Sequence, residues 1–455
     1  MTITLVAIEV GLVVLGTCGT VLLWVHSLLV EWKDVAAYGT QGLVLALACL
    51  LSFYYNDLYD IRRVRGFGEF SVRLLQTIGI SFIVLAAIYT VFPKIRLDNG
   101  PFFSGLLMLA CLVLPFRATM YAMMKAGRFS ERVLILGTGP LALKIAAEME
   151  PTPQSGYSIA GLVDDNGIYS LGAASQAPYP LLGRIEELEK TIEEVHPDRI
   201  VVALAERRGR LPVHELLKTQ MGGIAVEEGI EAYERLSGKL AVESVMPSYL
   251  IFSGDFQKPR WQMALHRTIS LIVAAVGLLL TWPLIGMTAL LIKLDSKGPL
   301  FFVQERVGFR ERIFRLVKFR TMYDMRDNST ESVWDRDVDS RLTRVGRWIR
   351  RFYLDELPQL INIVKGDMDL VGPRPEMACN VAEMTEKIPY YTLRHVVRPG
   401  LTGWAQLKCG YSVSQEDVTE KIRHDLYYIK HMSLWLDLRI LLDTVKNVLV
   451  EWKGR

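Results

Sequence analysis

Apolar residues crowd the first quarter of the chain and thin out after it. Four apolar stretches stand at Leu5–Val30, Gly39–Phe53, Leu74–Phe92 and Phe102–Phe116. As helices, the first and third are long enough to span about 30 Å of hydrocarbon. The second and fourth reach that length only with help from their flanks. The pattern predicts a four-helix transmembrane bundle over residues 1–125. Arg62, Arg63, Arg65 and Arg73 lie between the second and third stretches, and Arg117, Lys125, Arg128 and Arg132 follow the fourth. The other two loops carry less positive charge, at Lys33 and at Lys94 with Arg96. Lys and Arg collect on the cytoplasmic side of a membrane, so the N-terminus, the second loop and everything beyond Arg117 are expected there.

From Arg132 the pattern changes to short apolar runs alternating with helical periodicity. Val133-Leu134-Ile135-Leu136 reads as a buried strand and Gly137-Thr138-Gly139-Pro140-Leu141-Ala142 as a turn into a helix. A second strand ends at Leu162-Val163-Asp164, a charged helix covers Ile185–Val195, and a third strand covers Arg199–Leu204. Strand, glycine turn and helix in alternation predict a Rossmann-like parallel α/β domain over 131–253. The spacing of Gly137, Gly139 and Ala142, with Asp164 at the next strand end, fits a dinucleotide fingerprint. The same glycines also serve plain strand–helix packing.

A fifth apolar stretch, Thr268–Ile292, has Pro283 in its middle. One reading is a kinked spanning helix. The other is a re-entrant membrane hairpin over 267–293 that breaks at Thr281-Trp282-Pro283, with the Thr281 hydroxyl helping to satisfy the freed backbone. The second keeps both soluble parts on the cytoplasmic side, and we expect it on that ground. Beyond Gly298 the chain is polar. Arg341–Phe352 is amphipathic, with Leu342, Val345, Trp348, Ile349 and Phe352 on one face and arginines elsewhere. That pattern suits either an anionic membrane interface or a core-packed surface helix. The last helix, Leu434–Trp452, has a stripe of Leu438, Leu441, Leu442, Val445 and Leu449. Asn328–Val338 is the expected mobile loop.

Composition adds constraints. The chain has 455 residues, enough for two or three domains, and 51% are hydrophobic. A net charge of only +3 gives no field suited to nucleic acid. The five cysteines are dispersed without metal spacing or a disulfide framework, which fits thiols on the reducing side of a membrane. The N-terminus reads as a retained helix rather than a removed signal peptide.

The chemistry concentrates near Asp355-Glu356. This acid pair lies between a run of arginines and Val371-Gly372-Pro373-Arg374-Pro375. Taken alone, an acid pair is more often an exposed charged turn. Here it stands with Gln304-Glu305-Arg306-Val307-Gly308, Lys318-Phe319-Arg320-Thr321-Met322, Leu354–Leu360 and Arg398-Pro399-Gly400-Leu401-Thr402-Gly403-Trp404. A carboxylate can attack phosphorus or bind Mg²⁺, and nearby cations can neutralise phosphate oxygens. With a membrane segment just upstream, the constellation asks for a diphosphate substrate and a membrane-bound partner.

In these five ordered motifs the chain resembles the bacterial sugar transferases, the monotopic phosphoglycosyl transferases. In layout it is similar to their large subgroup, the polyprenyl-phosphate hexose-1-phosphate transferases of exopolysaccharide and O-antigen synthesis. The resemblance is motif-specific only from about Arg267 onward. It implies a re-entrant membrane helix with an α-rich (α+β) catalytic domain over 262–455, in a multi-pass protein of the bacterial inner membrane with its soluble domains in the cytoplasm. It implies transfer of a hexose-1-phosphate from a UDP-sugar to undecaprenyl phosphate, with Mg²⁺, release of UMP, contact with membrane lipids, and a homodimer. Glucose and galactose are the leading sugars on resemblance alone. On matching positions Asp355 would attack phosphorus and hold the metal, and Glu356 would act as base or shape the metal site. Lys318, Arg320 and Arg374 would hold phosphates. Arg398 would position substrate, and Gln304, Glu305 and Arg306 would build the site. Departures from the pattern are Trp282-Pro283 at the membrane break where many relatives carry Ser-Pro, Ser270 where an Asp is common, and the charged turn Phe309–Arg312.

Two rival readings have their own discriminators. A membrane-bound nucleotide-sugar dehydratase or epimerase needs a Tyr-xxx-Lys pair after its cofactor loop, and Tyr121–Lys125 falls before Gly137. A non-catalytic nucleotide-sensing scaffold would not need an intact Asp355-Glu356.

Overall fold

The computed structural model describes residues 2–27, 32–59, 66–126, 130–149, 156–164, 179–204, 210–245, 250, 252, 254–323, 341–409 and 415–451. The expected mobile loop Asn328–Val338 and the loop charges Arg62, Arg63, Arg65 and Arg128 lie outside these residues. The chain divides into two compact units, Met1–Glu227 and Glu228–Arg455.

The first unit opens with four helices: α1 (Thr2–Ser27), α2 (Trp32–Tyr55), α3 (Phe67–Val91) and α4 (Asn99–Lys125). α1 packs on α2 and α4, α2 on α3, and α3 on α4. Leu45, Phe53, Phe70, Leu74, Leu109 and Val113 form their shared core. The marginal second and fourth stretches become full helices because their polar flanks stay helical, α4 running ten residues past Pro115. Among the described residues, Tyr38–Tyr55, Phe67–Val91, Phe102–Met124 and the later Arg260–Asp295 are long and apolar enough to cross a membrane. The described apolar part of α1, Ala7–Thr20, is shorter. Arg117, read from sequence as a loop charge, is instead buried inside the bundle. It pairs with Glu9 of α1, each about 1–2% exposed, and donates to the Leu58 carbonyl at 2.8 Å. A charge in an apolar bundle persists only when paired in this way.

The same unit carries a five-stranded sheet in the order β3-β2-β1-β4-β5. Its strands are β1 (Glu131–Leu136), β2 (Tyr157–Asp164), β3 (Leu181–Arg184), β4 (Arg199–Val202) and β5 (Ala225–Glu228). β1 pairs in parallel with β2 and β4, and β2 with β3. Helices α5 (Pro140–Met149), α6 (Leu188–Val195) and α7 (Val213–Met221) complete an open doubly wound sheet, as the alternating pattern predicts. β3 (Leu181–Arg184) and β5 (Ala225–Glu228) lack the buried apolar run that marks β4, so the sequence does not announce them.

The second unit begins earlier than the sequence reading placed it. α8 (Gly229–Ser237) and the segment after it are fastened to the C-terminal domain, although the pattern had assigned 229–253 to the sheet domain. Glu234, 2% exposed, accepts from Lys430 at 2.7 Å. Gly238 O accepts from Trp404 Nε1 at 2.7 Å, and Leu240 N donates to Arg423 O.

α9 (Arg260–Asp295) is one 36-residue helix with Pro283 inside it. The helix runs through Thr281-Trp282-Pro283, the expected break, without a gap; a proline inside a helix removes one hydrogen bond and kinks it rather than always ending it. Thr281 Oγ1 donates to Gly277 O at 2.7 Å, not to the Leu279 carbonyl that Pro283 frees. Both ends of α9 are anchored on the same domain. Arg267 donates to Met368 O, Ile363 O and Asp369. Asp295 accepts from Val345 N at 3.0 Å, and Ile292 packs with Phe319 and Ile349. Between these anchors Leu279, Leu280 and Trp282 are each about 70% exposed.

The remaining elements build the catalytic-type domain. They are the antiparallel pair β6 (Phe301–Val307) and β7 (Ile313–Phe319), then α10 (Arg344–Arg351), α11 (Gln359–Lys365), β8 (Asp369–Val371), α12 (Ala378–Lys387), β9 (Gly400–Thr402), α13 (Trp404–Lys408), α14 (Gln415–His431) and α15 (Leu434–Glu451). α10 corrects the predicted apolar face: Leu342, Gly346 and Ile349 are buried, whereas Trp348 is 64% exposed and stacks on Phe352. Gly346 sets that rotation, since a Cβ there would lie 2.0 Å from Thr321 O.

Candidate active site

The acid pair sits on a short 3₁₀ turn, Leu354–Glu356, at the entrance to α11. Tyr353 precedes it in the left-handed region, φ 55°, a backbone state that costs a non-glycine residue about 1 kcal/mol. Glu356 Oε1 accepts from Lys318 Nζ at 3.1 Å and from Arg374 Nη2 at 2.9 Å. Among the described residues no ion pair holds Asp355.

This asymmetry separates the two carboxyls. Burial alone would raise Glu356, but the charges and hydrogen bonds of Arg374 and Lys318 outweigh it and hold the group below its ordinary value. Burial, then the neighbouring Glu356, push Asp355 up to about 6, with Lys318 and Arg350 opposing. Glu356 is therefore a fixed carboxylate. Asp355 is a carboxyl poised near neutrality with its basicity retained.

Arg374 is aimed by backbone contact. Gly372 N donates to Thr402 O at 2.9 Å and Gly400 N to Pro373 O at 3.0 Å. A Cβ on Gly400 would meet Gly372 N at 2.1 Å, and one on Gly403 would meet Gly372 O at 2.2 Å. The motif glycines thus let two backbones cross, and the crossing presents Arg374. Buried Arg394 braces it from behind, donating to Arg374 O at 2.9 Å and to Asp425 at 2.8 Å. Arg306 donates to Gln304 Oε1 and to Pro375 O, tying β6 to the same loop.

Beside the pair opens a cavity of about 1130 Å³. Glu356, rather than Asp355, stands in its wall with Arg374. Asn380, Glu383 and Lys421 add polar groups, while Val273, Leu360 and Leu441 from α9, α11 and α15 add apolar surface.

The structure thus joins Lys318, Arg374, Glu356 and Asp355 in one cluster, with Gln304 and Arg306 behind it. Others among the sequence-predicted residues stand elsewhere. Arg320 is buried and donates to Lys297 O, Ser296 O and Ser296 Oγ, so it anchors the end of α9. Arg398 donates to Gly366 O, pairs with Asp369 at 3.7 Å and lies over Phe309. Glu305 is exposed on the strand face opposite Gln304 and Arg306, as a period of two requires. Pro283 is exposed in mid-helix. In the first unit, Gly137 has φ 116°, and a Cβ there would lie 2.7 Å from Ala203 O, so close packing against the end of β4 accounts for the glycine. Gly139 O accepts the Leu143 N–H of α5, and Asp164 accepts from Thr138 Oγ1 at 3.3 Å. Sequence reasoning missed Arg394, Asp425, Asn380 and Lys421, which share no motif with the acid pair and meet it only through the fold.

The chain is similar to known proteins over these same residues. A family model described as bacterial sugar transferase matches residues 261–451, and one described as CoA-binding domain matches 55–219. The UDP-N-acetylgalactosamine-undecaprenyl-phosphate N-acetylgalactosaminephosphotransferase of Aeromonas hydrophila is 41% identical over 49% of this chain and 52% of its own length. The undecaprenyl-phosphate glucose phosphotransferase of Komagataeibacter xylinus is 36% identical over 70% of this chain and 59% of its own. The chain therefore spans little more than half the length of these two relatives. The UDP-glucose:undecaprenyl-phosphate glucose-1-phosphate transferase of Caulobacter vibrioides is 42% identical over 40% of this chain and 69% of its own length. With its matched domain, its ordered motifs and the site they assemble, the chain belongs to the bacterial sugar transferase family.

Proposed function

We propose that this protein transfers a hexose-1-phosphate from a UDP-sugar to undecaprenyl phosphate in two displacements at one carboxylate. Asp355 attacks the sugar-bearing phosphorus, a P–O bond to the nucleotide breaks, and UMP leaves. The phosphate oxygen of the polyprenyl phosphate then attacks the same phosphorus, and the Asp355 carboxylate departs, giving undecaprenyl-diphosphate-sugar. Splitting the transfer lets a water-borne and a lipid-borne substrate use one site in turn. The observation that carries the reading is the asymmetry of the pair, with Glu356 fixed by two cations and Asp355 outside the ion pairs of the described residues and raised to about 6. Lys318 and Arg374 would neutralise diphosphate oxygens.

Mg²⁺ belongs to the same reading. Among the described residues no group of three or more His, Cys, Asp or Glu side chains converges. Mg²⁺ commonly needs only one or two carboxylates besides substrate phosphates, which Asp355 supplies. When bound there it would neutralise charge on the diphosphate.

The relatives' names carry N-acetylgalactosamine in one and glucose in others. We read α9 as re-entrant, with both soluble parts in the cytoplasm at the bacterial inner membrane. About 54 Å of helix exceeds a 30 Å hydrocarbon layer, and both of its ends are held by one domain. A homodimer is expected on family resemblance, and exopolysaccharide or O-antigen assembly is the expected setting.

The test is to mix the protein with labelled UDP-sugars without lipid and quench in acid. A phospho-sugar on the peptide carrying Asp355, discharged by added undecaprenyl phosphate, is expected. UMP release only when lipid is present, with no adduct, would overturn the covalent step. Cysteines introduced at Arg267 and Asp295 should both label from the cytoplasmic side alone. Labelling of position 295 from outside would make α9 a true span.

A further inference from the structure

The cavity beside the acid pair has two unlike kinds of wall. α12 and α14 line it with Asn380, Glu383 and Lys421, while α9, α11 and α15 line it with Val273, Leu360, Leu441, Val445 and Val448. Both kinds of wall belong to the cavity that Glu356 and Arg374 border. A UDP-sugar is polar from base to hexose. It can satisfy the polar groups, but no part of it gains by lying against leucine and valine. The apolar wall therefore calls for a second ligand, one with a hydrocarbon chain.

The apolar wall also runs out of the cavity. On α15, Leu434, Leu438, Leu441, Val445 and Val448 recur at alternating steps of four and three, a single row along the helix. The face that α15 buries lies beside this row: Ile440 is fully buried, and Asp437 accepts from the Tyr428 hydroxyl at 2.8 Å. Leu434, Leu438 and Val445 are 41%, 47% and 49% exposed, so the row is apolar surface that the domain's own packing does not use. On α9, Ile269, Val273, Val276 and Leu280 follow the same spacing. Exposure rises along it from 45% at Val273 to 73% at Leu280, about 10 Å further on, within the helix that is apolar enough to cross a membrane. The two helices are tied where His266 Nδ1 meets Asp437 Oδ2 at 2.6 Å. Seven residues on along α9 and four along α15, Val273 and Leu441 both line the cavity.

We propose that this apolar wall seats the isoprenoid chain of the acceptor. Val273, Leu441, Val445 and Val448 lie against the units nearest the phosphate, and the chain leaves along Val276 and Leu280 into the bilayer. The inference rests on the reading of the acceptor as a polyprenyl phosphate. A chain seated there has its phosphate end at Arg374, the cation of the same cavity, and its far end on the lipid-facing row of α9. Nucleotide sugar and acceptor then use different walls, so each reaches the acid pair without occupying the other's surface.

The experiment uses the full-length protein in nanodiscs and a polyprenyl phosphate with a diazirine on one of its first isoprene units. After irradiation the label is mapped by mass spectrometry. We expect it on the α9 peptide with Val273 and on the α15 peptide with Leu441 to Val448. Unlabelled undecaprenyl phosphate should displace it, and an equal amount of phosphatidic acid should not. In Val445→Gln the concentration of undecaprenyl phosphate that halves labelling should rise roughly tenfold, as for the loss of one buried valine contact. The acceptor KM should rise by the same roughly tenfold factor while the KM for UDP-sugar moves less than about twofold. Val445 is half exposed, so the variant is expected to fold; should it not, Val445→Thr, of the same shape, carries the same comparison. Labelling requires no turnover. Failure of the transferase reading would leave the labelling in place and appear as missing UMP and lipid product. Failure of this inference would appear as product formed with the label on other helices. Equal displacement by phosphatidic acid, which would mark bulk lipid only, or equal rises in both KM values would also overturn it.

Discussion

Two buried charge clusters in this protein are built to opposite ends. Inside the membrane bundle, Glu9 meets Arg117 one to one, with Leu58 O taking a further guanidinium hydrogen. At the acid pair, two cations converge on one oxygen of Glu356, and Asp355, immediately adjacent, is left outside every ion pair of the described residues. The first cluster cancels its charge, as a structural pair in an apolar setting must. The second sets its cations on Glu356 and leaves Asp355 raised. Burial of charge alone therefore does not mark a reactive site; an acid left out of the balance does.

The sharpest test of that contrast is Asp355→Asn. Turnover of UDP-sugar should fall by roughly 10³-fold or more, because removing a covalent nucleophile leaves only positioning. Near-normal UMP release from a folded variant would remove the distinction between the clusters. Glu9→Gln should act in the other direction. Leaving Arg117 without its carboxylate is expected to cost about 3 kcal/mol of stability, seen as earlier unfolding in detergent, with turnover per folded molecule unchanged.

A third prediction concerns the buried pair of Glu234 with Lys430. A chain beginning at Glu228 keeps it, whereas one beginning at Lys258 removes the carboxylate. The shorter chain should be less stable by about 2 kcal/mol or more, and turnover per folded molecule should be equal in the two. Loss of all activity from both folded, membrane-inserted forms would show that the first unit is needed for chemistry.

The pH profile comes next in size. On the proposed mechanism Asp355 must be ionised to attack, and its folded value is raised to about 6. Activity should be full well above pH 6 and fall about tenfold per unit below it. An acid limb near the ordinary aspartate range would contradict the raised carboxyl. The smallest effect is expected at Gly137→Ala. Its φ of 116° and the 2.7 Å approach to Ala203 O should cost about 1–2 kcal/mol in the first unit, without altering turnover. A loss of turnover in that folded variant would give the glycine turn a role beyond packing.

The sequence alone determined the elements with strong local signals. Apolar length placed α2, α3, α4 and α9. Alternating strand and helix patterns placed β1, β2 and β4. The acid pair Asp355-Glu356 and the basic groups of the C-terminal motifs stood out by their chemistry, and the family resemblance named Lys318, Arg320, Arg374 and Arg398 as substrate-binding. Those signals are local because hydrophobic period and side-chain chemistry are properties of neighbouring residues. Only the tertiary structure decided which charges meet. Arg320 and Arg398 carry the same group as Arg374, yet they cap carbonyls and pair with Asp369, while Arg374 reaches Glu356. The glycine crossing of Gly372, Gly400 and Gly403, the burial of Arg117, and the attachment of α8 to the second unit likewise join residues far apart in the chain. Asn362 of α11 shows the limit most plainly: a single amide in a helical run has no pattern of its own. Its partners at Val317 and Arg315 of β7 lie 45 and 47 residues away, and only folding brings that strand edge to it.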